Sequence, residues 1–137
     1  KSSITQPKSS IRTGNLRIGT DSDVDAYEKG NKLILENYYI KAVFYRVGNE
    51  SHYRTINSTS MLKSITYKTN NKTASGEFSF LIDNSLIESD GYSKLLKKGH
   101  DLGSAGVLFH TNTSSGVNHD LYFTLSSKAH FIRTELQ

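Results

Sequence analysis

The chain has 137 residues, with 17 Lys and Arg against 13 Asp and Glu and no cysteine. That length suits one domain with an ordinary core. The missing cysteines exclude disulfide frameworks, thiolate metal sites and Cys nucleophiles, and they fit a bacterial, viral or cytosolic protein better than a small secreted eukaryotic one.

Residues 1–20 carry the whole net charge. Lys1, Lys8, Arg12 and Arg17 are basic, and the first acid is Asp21. The stretch is Ser-rich, holds the only proline (Pro7) and has few large apolar side chains. It cannot bury enough surface to offset its ordering entropy. It reads as an extended basic arm held by a neighbouring subunit, for example on the acidic cluster Asp21, Asp23 and Asp25. Residues 21–137 read as a single β-rich domain.

A short strand is expected at 16–18, followed by the acidic cluster and a turn at Lys29-Gly30-Asn31. Residues 33–47 are rich in aromatic and branched side chains, which favours strand. Ile34, Tyr38, Ile40, Ala42 and Phe44 share one parity and form a candidate core face, with a bulge or break at Glu36-Asn37. A strand at 52–56 comes next, and then Met61, Ile65 and Tyr67 fall at one parity. Asn70-Asn71 suits a hairpin turn because Asn tolerates positive φ. In the strand 76–82, Phe78, Phe80 and Ile82 face one way.

One short helix is predicted over about 85–98, because Ser85-Leu86-Ile87-Glu88 has the spacing of a capping box. Tyr92, Leu95 and Leu96 would face the core, Lys94, Lys97 and Lys98 would complement the C-terminal dipole, and Gly99 would stop the helix. Strands at 106–110 and 121–133 close the chain. In the latter Leu121, Phe123, Leu125, Ala129 and Phe131 alternate with Tyr122, Thr124, Ser126, Lys128 and His130. A polar loop, 111–120, joins them. With about seven strands and one helix, the expected fold is mainly β, an antiparallel sandwich or barrel.

Sites of chemistry are sparse. Asp21, Asp23 and Asp25 match the first three ligand positions of a calcium loop, but Ala26 and Lys32 stand where Gly and a bidentate Glu belong. Calcium is the one cofactor the sequence suggests. His110, Asn112, His119 and Asp120 border the 111–120 loop and form a possible binding loop. There is no G-x-S-x-G and no phosphate-binding glycine loop, so no catalytic residues are assigned and a non-enzymatic role is expected. Aromatic and basic residues mingle from Tyr38 to Arg54, but the neutral body makes nucleic acid an unfavoured partner. No apolar run approaches the roughly 18 residues of a membrane-spanning helix. Asn49, Asn57, Asn71 and Asn112 begin Asn-x-Ser/Thr sequons, meaningful only in a eukaryotic secretory pathway.

The order of the strand at 76–82, the helix to Lys98, and then strand, loop and strand to Arg133 resembles phage tail-tube subunits and their secretion-system tube relatives. The stretch from Lys41 to Lys68, with Phe131-Ile132-Arg133, is similar to the globular part of minor type IV pilins. Each resemblance covers about half the chain and rests on element order, and neither assigns a family. They imply a structural subunit of a filament, tube or virion, self-associating through its arm. The alternative is a β-sandwich recognising a host glycan or receptor, an adhesin or toxin type of module. Either role places the protein extracellularly, on a cell surface or in a virion.

Overall fold

The strand-forming residues sort into two antiparallel sheets that pack as a β-sandwich. The structure is a computed structural model and describes residues 18–45, 61–76, 78–96, 99–113 and 115–137. The first sheet is a meander of β1 (Asp23–Lys29), β2 (Lys32–Asn37), β3 (Ile40–Tyr45), β4 (Leu62–Tyr67) and β5 (Lys72–Ser75), with β8 (Gly99–Leu102) added outside β1. The second runs β11 (Arg133–Leu136), β10 (Asn118–Ser126), β9 (Ser104–Thr113), β7 (Ser85–Leu96) and β6 (Leu81–Ile82). Among the described residues there is no helix, and so none long and apolar enough to cross a membrane.

Turn chemistry sets the register. Gly30 between β1 and β2 has φ 62°, and Asn71 between β4 and β5 has φ 56°, as the sequence anticipates at both places. Asp83-Asn84 joins β6 to β7 with φ 49° and 66°. Two consecutive positive φ values make a mirror-image turn whose twist matches that of the flanking strands.

The core forms where inward positions meet. Leu33 and Leu35 on β2, Ala42 and Phe44 on β3, Val107 and Phe109 on β9, and Leu121, Phe123 and Leu125 on β10 are all buried. Three rings cluster at its centre: Phe44–Phe123 at 4.9 Å, Phe44–Phe109 at 5.9 Å and Phe109–Phe123 at 6.0 Å between centroids. Such pairs add about 0.5–1.5 kcal/mol each beyond their burial.

One buried amide joins the two sheets. Asn37, at the end of β2, is completely buried. Its Nδ2 donates to the carbonyls of Ser126 and Ala129, both at 2.8 Å. Its Oδ1 accepts from the amides of Tyr39 and Ile40, both at 2.8 Å. The first pair lies in the turn after β10, the second in the β2–β3 turn, so one side chain fastens two sheets together. Beside it Glu36 receives the Tyr27 hydroxyl and the Lys68 ammonium, both at 2.7 Å, and Lys68 also donates to the Asn37 carbonyl at 2.8 Å.

The helix expected over 85–98 is instead the strand β7. Ile87, Ser89, Ser93 and Leu95 point inward against Thr113, Thr111, Phe109 and Val107 of β9. The register shifts between Ser89 and Tyr92. This bulge and the two inward serines hide the alternation from a sequence reading, and Ser85 follows a hairpin turn rather than capping a helix. Gly99 likewise opens β8 instead of stopping a helix. The described residues hold eleven strands in place of the expected seven or so. The acidic segment from Asp23 is strand β1, residues 111–120 are mostly a tight hairpin of β9 and β10, and the long final strand breaks after Ser126. Of the described residues in 76–82, Leu81 and Ile82 form the strand β6, and the Phe80 carbonyl accepts the Ile87 amide at 2.8 Å. Ile34 lies opposite Val43, on the other face from Ala42 and Phe44, and Tyr38 is 47 % exposed in its turn. The strand expected at 52–56, and Leu16 and Arg17 of the one at 16–18, lie outside the described residues.

Asn37→Ala removes four hydrogen bonds to buried and partly buried backbone groups, and we expect a loss of about 2–4 kcal/mol in urea unfolding. Gly106 on β9 tests strand packing: a Cβ there would sit 2.8 Å from the Phe123 carbonyl. Gly106→Ala should therefore cost about 1–3 kcal/mol in the same assay.

Candidate functional site

The second half of the core, where β3 and β4 face β10 and β11, is incompletely filled. A pocket of about 370 Å³ lies there. Its floor is Phe44 and Phe123, with Phe80 edge-on to Phe123 at 5.4 Å between centroids. Ile40, Leu62, Ile65 and Phe78 form walls, and Phe131 and Ile132 the lip. Phe131 is 64 % exposed, the most exposed large apolar side chain among the described residues. The volume and the aromatic lining fall in the range of small-molecule sites, which run from about 300 to 1,000 Å³.

The local sequence explains why the pocket is there. Residues 127–132, between β10 and β11, do not continue the strand; Asn37 fills the turn from Ser126 to Ala129, and the chain then crosses toward the first sheet. His130 lands flat on Tyr39, centroids 3.9 Å apart at 27°. Its Nδ1 is 2.7 Å from the Tyr67 hydroxyl. Both contacts tie the lip to the first sheet. Polar atoms in the lining come from Tyr67, Ser79, His130 and Thr134, and no Asp, Glu, Lys or Arg lines it among the described residues. A mostly apolar lining with a few polar groups is the make-up of a cavity suited to holding a ligand.

The residues singled out from the sequence lie elsewhere. Asp21 is exposed in the turn before β1. Asp23 is buried and its Oδ2 accepts the amides of Gly19 and Thr20 at 2.9 Å each, fixing that turn. Asp25 is fully buried within β1, its Cα opposite Glu36 and His100. The three carboxylates thus do separate things, and no cluster of three metal-ligating side chains occurs among the described residues. The β9–β10 hairpin does bring His110 and Asp120 together, with Nδ1 2.6 Å from Oδ1. Asn112 follows on the same outward face, whereas His119 is opposite Thr111 and shares the inward parity. Both His110 and Asp120 are about one-third exposed, so this cross-strand pair contributes well under about 1 kcal/mol. Lys1, Lys8, Arg12 and Arg17 lie outside the described residues.

Floor and lip should respond differently to mutation. Phe123→Ala is expected to cost about 3–5 kcal/mol, as for a buried ring. Phe131→Ser, at an exposed ring, should change stability by less than about 0.5 kcal/mol. Denaturant melts of the two variants check this. Comparison with protein-family models, with curated proteins and with solved structures gave no match to this chain.

Proposed function

We propose that this β-sandwich is a non-enzymatic binding module that holds the apolar body of a small ligand between its sheets. The single observation that carries this reading is the aromatic pocket between β3–β4 and β10–β11. A core of this kind normally packs to crystal-like density, with few voids larger than a water. A cleft of about 370 Å³ beside three clustered phenyl rings leaves them short of dispersion contacts on that side. A ligand with an apolar body restores them. Phe131 supports the same reading, because an exposed ring at the lip of a pocket gains contacts only when something lies against it.

Assembly into a filament or virion is the second reading, and β5 favours it. All four of its side chains are exposed, and among the described residues it pairs on one side only, with β4. Such an edge accepts a further strand, although its shortness and Lys72 oppose that. Light scattering on the full chain separates the readings: a monomer at high concentration disposes of the assembly role.

The neutral dye Nile red tests the pocket directly. We expect one dye per chain, with enhanced, blue-shifted emission. Ile65→Trp, which places an indole in the cavity, should abolish that signal while leaving the circular dichroism of the fold intact. Dye binding that survives Ile65→Trp, or no binding at all, would overturn the proposal.

A further inference from the structure

The polar atoms of the pocket point to the chemistry of the ligand's other end. They are not scattered. Tyr67 and His130 form one hydrogen-bonded pair, and His130 is fixed a second time by its stack on Tyr39. A ring held by two independent contacts is preorganised, so a partner gains affinity without having to order it. The Tyr67 hydroxyl occupies Nδ1. The ring's other nitrogen, Nε2, is left for a ligand, with no protein partner among the described residues. When the Tyr67 hydroxyl donates to Nδ1, the imidazole proton sits on Nε2, which then donates. When the ring is protonated, both nitrogens donate and Nε2 also carries positive charge. The ring that instead donates from Nδ1 to the Tyr67 hydroxyl leaves Nε2 an acceptor; of the three states, two favour an acceptor on the ligand, and the charged one an anion.

One further observation agrees. The described lining has no carboxylate that would repel an anion or pair with a cation. The rest of the wall is apolar, so an anion alone would leave most of it unfilled. Resting on the binding role proposed above, we propose that the ligand is a small anionic amphiphile. Its apolar body lies on Phe44, Phe80 and Phe123, and its carboxylate accepts a hydrogen bond from His130.

The test uses three molecules with the same ten-carbon tail and different heads: decanoate, decan-1-ol and decyltrimethylammonium. Each displaces Nile red from the full chain below its micelle concentration. We expect decanoate to bind about tenfold more tightly than the ammonium compound, the difference of one charge-assisted hydrogen bond. Decan-1-ol should fall between them. His130→Phe keeps a ring on Tyr39 but removes both nitrogens, and should erase the gap between decanoate and decan-1-ol. Tyr67→Phe, which frees the imidazole to turn, should narrow it. Decan-1-ol binding as tightly as decanoate, or the ammonium compound binding best, would overturn the head-group assignment and leave the pocket standing. Failure of all three tails to displace the dye would instead remove the apolar binding role itself.

Discussion

The structure depends on a buried amide. A sandwich is two amphipathic sheets, and apolar contact between them is nearly indifferent to small slides. What fixes their relative position is directional. Asn37 uses both amide hydrogens and both acceptor sites of its carboxamide, and the four bonds span from the first sheet to the turn that leaves the second. A fully buried amide with every site satisfied costs nothing in stranded polarity, while losing it exposes that cost on both sides. It holds the turn from which residues 127–132 leave β10, and His130, the residue after Ala129, is then fixed by Tyr39 and Tyr67.

The same constraint explains why the pocket lies where it does. Near Asn37 the sheets are tightly joined, and β9 and β10 pack over β1 and β2. Farther out, β3 and β4 are spanned by the 127–132 segment rather than by a continued strand, and the rings of Phe44, Phe80 and Phe123 are left with a space beside them. The inward positions of β7 and the far end of β9 are different. Ser89, Ser93, Thr111 and Thr113 are buried there, with Thr111 Oγ1 donating to the His119 carbonyl at 2.9 Å. One region of the interior is thus small and polar, and another is aromatic and open. The ligand-binding account belongs to the second.

Much of this was legible in the sequence. Period-two runs gave the inward faces of β3 and β10, and Gly30 and Asn71 marked the β1–β2 and β4–β5 turns because few other residues adopt positive φ cheaply. Phe78, Phe80, Phe123 and Phe131 were recognised as one-sided apolar positions. The gap between them was not, since a void is a property of how faces meet and not of either face. The strand β7 was hidden by serines at inward positions and by its bulge, which together imitate helical spacing. Asn37 was visible only as a break in a pattern. Its four partners lie as far as 92 residues away in sequence, beyond any local signal. His130 read as the outward member of an alternating strand, but the strand ends at Ser126, and past that point parity no longer assigns a face.

The most direct measurement of the central claim is a carbon–proton NMR titration of isoleucine methyl groups with decanoate. The account predicts saturable shifts at Ile40, Ile65 and Ile132, which line the pocket, with Ile34 on the opposite face of the first sheet unmoved. Shifts centred on Ile34, or equal small shifts at all four, would contradict it.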